Sequence, residues 1–97
     1  MLKDKVMKKL DEVIDPEMHI SIVELGLVYD VKIKNSTAFI KMTLTSLGCP
    51  LFPVIEKSII YKTKEVPTIE NVDIELTFDP PWTMDMMSKK ARLTLGV

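Results

Sequence analysis

The residues of this chain best placed to do chemistry are one thiol and a nearby set of acids. Cys49, the only cysteine, stands near the end of Thr43-Leu-Thr-Ser-Leu-Gly-Cys-Pro50, directly behind Gly48. Pro50 and Pro53 open a helical pattern, where a missing N–H does little harm. The thiol therefore falls at the mouth of a helix, where unpaired backbone N–H groups and the positive end of the dipole favour the thiolate. A thiolate attacks electrophiles and binds soft metals. Gly48 permits a tight turn or a close approach, and Thr43, Thr45 and Ser46 can donate hydrogen bonds to sulfur or to a group held on it. The plainer alternative is a small buried apolar residue in a turn. On these residues alone both readings stand.

Asp15, Glu17 and Glu24 lie close together in the chain, near the single histidine, His19. Carboxylates beside an imidazole can bind a metal, but their spacing matches no rigid ligand pattern on a helix. Asp15 before Pro16 reads more simply as a turn cap, Glu24 as half of a capping box with Ser21, and His19 as an exposed loop residue. Met84, Met86 and Met87 carry soft sulfur, yet their spacing suits packing. Trp82, after two prolines, reads either as a partner-binding anchor or as a lid over the core.

The elements that must position these residues follow from periodicity. Leu2, Val6, Leu10 and Val13 recur at helical spacing, which predicts an amphipathic helix over 2–14, ended by Asp15-Pro16. Ser21 to Glu24 predicts a helical turn stopped by Gly26. Leu27, Tyr29, Val31 and Ile33 then alternate with polar neighbours, as do Ala38, Ile40, Met42 and Leu44; Asn35-Ser36 links the two runs as a hairpin turn. Leu51, Ile55 and Ile59 give the next helix an apolar stripe as far as about Lys64. Val72, Ile74, Leu76 and Phe78 make a third strand, and Asp79-Pro-Pro-Trp82 must be extended. Thr83 is placed to cap a last helix with Met84, Met87 and Ala91 on one side. The order α-β-β-α-β-α predicts a small α+β two-layer sandwich, with helices packed on a sheet of three strands or more.

Composition sets the limits. The 97 residues suit a single domain spanning 1–97, and 46% hydrophobic with 28% charged residues suits a folded one. A net charge of −1 offers no basic field for a phosphate backbone, so no direct nucleic-acid partner is expected. One cysteine cannot form an internal disulfide, and a reducing cytoplasm is the expected location. No apolar run approaches the roughly 20 residues needed to cross a bilayer, and the first residues lack a signal-peptide pattern, so no membrane partner is expected.

Four blocks, Val13-Ile-Asp-Pro-Glu17, Ser21 to Val31, Met42 to Pro50 and Leu76 to Ser88, resemble in that order the SufT/PaaD-like family. This is a metal–sulfur cluster assembly family that includes the cytosolic iron–sulfur targeting subunit. The resemblance covers about residues 3–96. It implies the same α+β fold and a role in assembling or delivering iron–sulfur clusters for other proteins. It points to Asp15, Glu17, Glu24, Thr45, Ser46, Gly48 and Cys49 as the functional thiol and its pocket, with Cys49 as the reactive or metal-ligating group. Two departures stand out. Leu47 replaces a proline common before the Gly-Cys pair, and Met84 replaces a proline after Trp-Thr. Ser46 keeps the hydroxyl of the usual threonine.

A cluster generally needs four ligands, so one thiol per chain implies a labile cluster, shared across a homodimer or held transiently with a borrowed thiol. The main expectation is a non-catalytic carrier or targeting factor whose partners are the iron–sulfur assembly machinery and client apo-proteins. A second is an adaptor that binds no metal and uses Trp82 as its contact. A third is a thiol activity such as persulfide transfer; no motif brings His19 to Cys49 as a base.

Overall fold

The computed structural model describes residues 2–45 and 52–96. Ser46, Gly48, Cys49 and Leu51, to which the sequence assigned roles, lie outside the described residues. In chain order the elements are α1 (Leu2–Leu10), β1 (Val28–Lys34), β2 (Thr37–Met42), α2 (Phe52–Lys64), β3 (Asn71–Leu76), a single 3-10 turn (Met84–Met86) and α3 (Lys89–Leu95). The α-β-β-α-β-α order is as expected from periodicity.

The sheet has three strands in the order β1-β2-β3. β1 and β2 are antiparallel, with Val31 opposite Ile40 and Ile33 opposite Ala38. Asn35 and Ser36 turn between them with φ of 50° and 65°, the left-handed pair that a two-residue hairpin of matching twist requires. β3 runs parallel to β2, Ala38 facing Val72 and Ile40 facing Ile74, so α2 is the crossover between them. Alternation sends Val31, Ala38, Ile40 and Met42 to one face, where Val6 and Leu10 of α1 and Ile55 and Ile59 of α2 complete the core. The other face carries Lys32, Phe39, Lys41, Asp73 and Glu75, all exposed.

Three expectations are corrected. The first helix stops at Leu10, not at residue 14, because the backbone of 13–15 is drawn into another partnership. Ile14 bridges Ser21, Asp15 N–H donates to the Ile20 carbonyl at 2.9 Å and Ile22 N–H to that of Val13 at 2.9 Å. Val13 stays buried in this hairpin-like loop, which is why helical periodicity seemed to include it, while Ile14 is turned out. Second, the even alternation of the first strand is broken by a register shift between Val28 and Asp30. Tyr29 is the extra residue, and its hydroxyl leaves the core to donate to the Pro80 carbonyl at 2.7 Å. Third, Thr83 makes no side-chain cap, and Met84 is exposed rather than aligned with buried Met87 and Ala91. The cap of α3 is Ser88, whose Oγ accepts from Ala91 N–H at 3.0 Å.

Candidate functional site

The approach to Cys49 is built from the exit of β2. Thr43 N–H donates to the Leu27 carbonyl at 2.8 Å, which ties this exit to the start of β1. Thr43 and Leu44 are buried, and Thr45 is half-buried at the edge of the described chain. The Thr43 hydroxyl, fully enclosed, has no hydrogen-bond partner among the described residues.

The acids divide by task. Asp15 is buried, and its Oδ1 accepts from Glu17 N–H at 2.8 Å and Met18 N–H at 3.1 Å. That is a turn cap, and it accounts for an aspartate directly before Pro16. His19 closes the same turn, donating its N–H to the Asp15 carbonyl at 2.7 Å with φ of 59°. Glu17 and His19 are exposed.

Glu24 belongs to a different assembly. Ser21 Oγ accepts from Val23 N–H at 3.1 Å, as a capping serine does, and donates to Asp11 Oδ1 at 2.6 Å. The reciprocal half of the box is absent, because the Glu24 carboxylate accepts instead from the Ser88 hydroxyl. Ser88 N–H also donates to the Glu24 carbonyl, at 2.8 Å.

The next two residues are held from the same C-terminal segment. The Leu25 carbonyl accepts from the Trp82 indole N–H at 2.7 Å. Gly26, at φ 78°, lies so close to Met86 that a Cβ would overlap the Met86 carbonyl. Residues 82–88 thus clasp the 21–26 turn at three successive positions. Trp82 is half-buried over the core and serves as the lid that its sequence context allowed.

The structure brings Glu24 and His19 together along one cleft of about 260 Å³, with Asp11, Ser21, Lys90 and Thr94 in its walls. Asp15 and Glu17 are not among the residues lining it. Among the described residues, no three His, Cys, Asp or Glu side chains converge as a metal would require. Sequence reasoning missed Ser88 as a cap, the close approach of Met86 to Gly26 and the bond from Tyr29 to Pro80. Ser88 had a signal, a serine directly ahead of the short run Lys89–Leu95, but Thr83 offered a competing one.

A helix-covered mixed sheet, with its C-terminal segment clasped on the turn before β1, defines a small α+β domain. The chain belongs to the iron–sulfur cluster assembly protein family, whose model matches residues 3–76. It is 41% identical over 97 residues to the Fe-S protein maturation auxiliary factor YitW of Bacillus subtilis, covering 99% of this chain and 95% of that protein. It is 45% identical over 86 residues to the Fe-S protein maturation auxiliary factor SufT of Staphylococcus aureus, covering 88% of this chain and 98% of that protein. The crystal structure of a domain of unknown function, DUF59, from Bacillus anthracis superposes with a TM-score of 0.92 at 38% identity, over 99% of this chain and 92% of that one. No described helix is long and apolar enough to cross a membrane.

Proposed function

We propose that this protein is a non-catalytic maturation factor for iron–sulfur proteins, acting as one domain in the cytoplasm, with the Cys49 thiolate as its working group. The observation that carries this reading is the similarity, over nearly the full length of both chains, to relatives named Fe-S protein maturation auxiliary factors. The cluster is cargo. Cys49 is the chain's only cysteine, and thiolates are the usual ligands of such clusters. A single thiol per chain supports loose holding, either in a homodimer that shares the cluster or with a borrowed small thiol. Loose holding suits a factor that passes its cargo from the assembly machinery to client apo-proteins. The family resemblance supports assigning Thr45, Ser46 and Gly48 to the pocket of that thiol. Asp15 and Glu24 act as supports rather than ligands, since each carboxylate is already engaged within the fold.

That engagement also favours a second reading, an adaptor that presents clients without binding iron. Its contact surface is the Asp79 to Trp82 segment, with the exposed prolines and the outer edge of the half-buried Trp82 meeting the partner.

Anaerobic reconstitution with iron and sulfide separates the two. Wild type and Cys49→Ser are compared by visible absorption, Mössbauer spectroscopy and solution size. A cluster that forms on wild type and is lost with serine supports the carrier, and a coincident dimer supports sharing. A wild-type protein that stays colourless and iron-free overturns the carrier in favour of the adaptor.

A further inference from the structure

We propose that the outward stripe of α2, formed by Val54, Lys57, Tyr61 and Lys64, is a docking surface for an acidic amphipathic segment of a protein partner. The proposal rests on the maturation-factor reading only in calling that partner a client or a component of the assembly machinery. Spacing of three, seven and ten residues from Val54 puts the four side chains on one face of the helix. Ile55, Ile59 and Thr63 are the buried positions of α2, so this face points directly away from the core. Such a face is normally the most polar of a helix. Here Val54 is 54% exposed and Tyr61 69% exposed.

The charges on α2 fall into two sets. Lys62 pairs with Glu12 at 3.0 Å, and Glu65, just beyond the helix, pairs with Lys9 at 2.9 Å. Both hold α2 to α1 and the turn after it. Lys57 and Lys64 have no carboxylate within ion-pair distance among the described residues. They flank Tyr61 in a shallow, mostly apolar groove of about 470 Å³ that Ile60 and Glu65 complete. An apolar groove edged by two unpaired cations complements an apolar side chain edged by two carboxylates. On the open face of the sheet, by contrast, Lys41 meets Glu75 at 3.9 Å and Lys32 meets Asp30 at 3.9 Å, so both lysines there have an acid partner.

Geometry narrows the occupant. Lys57 and Lys64 are seven residues apart, about 10 Å along the helix. Two acids seven residues apart on a partner helix, with leucine between them, match that span. The Cys49 segment leads directly into the Phe52 end of α2.

The test is a titration of the full chain, free of iron, with a synthetic 12-residue helical peptide carrying two glutamates seven apart around a leucine. Amide shifts in two-dimensional NMR map the contact. The expected result is saturable shifts centred on Lys57, Ile60, Tyr61 and Lys64, with Kd rising at least about tenfold between about 50 and 300 mM salt. Lys57→Gln with Lys64→Gln, Tyr61→Ala, and a glutamine version of the peptide should each weaken binding about tenfold or more. All three protein positions are exposed or line the solvent face, so circular dichroism should be unchanged. Absence of binding, equal binding of the glutamine peptide, or shifts mapping elsewhere overturns the proposal. So does concentration-dependent self-association that the lysine double variant abolishes, because it would assign the stripe to a second copy. Failure here leaves the Cys49 reconstitution result untouched, and failure of reconstitution leaves the peptide titration interpretable.

Discussion

Ser88 and Glu24 hold each other twice, through the backbone N–H of Ser88 on the Glu24 carbonyl and through the Ser88 hydroxyl on the Glu24 carboxylate. The same hydroxyl accepts from Ala91 N–H, so one oxygen starts α3 and fastens it to the turn before β1. Ser88→Ala removes both bonds and should cost about 1–2 kcal/mol in urea denaturation. Ser88→Asp separates the two jobs. Aspartate caps a free helix well, but here it meets the Glu24 carboxylate. It should destabilise the protein, and adding Glu24→Gln should restore most of the loss. Additive losses in the double variant would show that the two side chains are not coupled.

Gly26→Ala should be among the most damaging single-methyl changes in the chain. The left-handed backbone alone costs a non-glycine residue about 1–2 kcal/mol. The added Cβ would also overlap the Met86 carbonyl, which is backbone and cannot rotate away. The thermal midpoint should fall by more than that of Gly96→Ala, where φ is similar but nothing lies within 4 Å of the added carbon. Equal losses at the two glycines would mean that the 82–88 segment gives way easily.

Trp82 needs two substitutions. Trp82→Phe keeps most of the ring and deprives the Leu25 carbonyl of its donor, a loss of about 1 kcal/mol. Trp82→Ala also uncovers the core and should cost about 2–3 kcal/mol. Any loss of client maturation with alanine is therefore confounded by stability. The phenylalanine variant, which should stay folded at working temperature, is the one that reports on partner contact.

Much of this arrangement was legible in the order of residues, and the parts that were not share one cause. Ala38, Ile40, Met42 and Leu44 are all buried because strand alternation is a local property, and the Asn35-Ser36 turn follows from the two residues themselves. The end of α1 was misjudged because the bonds that claim residues 13–15 come from residues 20–22. The sequence pointed to Thr83 as the cap of the last helix, whereas Ser88 is the residue that caps it. Ser88 is also fastened to Glu24, more than sixty residues away, which no local pattern encodes. Asp15 is the opposite case, because its turn-cap role is local and was legible from its place before Pro16. Its Oδ1 accepts from the backbone N–H groups two and three residues on, so sequence spacing alone was enough to find it.

The surface pairs between α1 and α2 predict a pH dependence with a definite direction. A hydrogen bond from Lys62 holds the Glu12 carboxyl below its ordinary range, and Glu12 in turn raises the Lys62 ammonium. A lowered carboxyl contributes stability above its unfolded value, about 4.3, and loses it as pH falls through the folded one. The raised lysine contributes below its unfolded value, about 10.4, and loses it as pH rises through the folded one. Between those limits the contribution is constant. The gap in thermal midpoint between wild type and Glu12→Gln should be flat near neutrality, close in acid, and narrow with added salt, since both groups are exposed. A gap that persists in acid would show that the pair is not its source.

Thr63 gives the opposite kind of prediction, a substitution that helps. It sits in the last turn of α2 with no exposed surface, and its hydroxyl has no hydrogen-bond partner among the described residues. Burying an unmade hydroxyl costs about 1–3 kcal/mol. Thr63→Val replaces it with a methyl of nearly the same shape, and its β-branched side chain suits the helix about as well as threonine's. The protein should gain about 1 kcal/mol, read as a higher urea midpoint at unchanged slope. Thr63→Ser keeps the hydroxyl and deletes the methyl, so it should lose stability. A loss with valine comparable to that with serine would show that the hydroxyl does have a partner in solution, an enclosed water being the simplest.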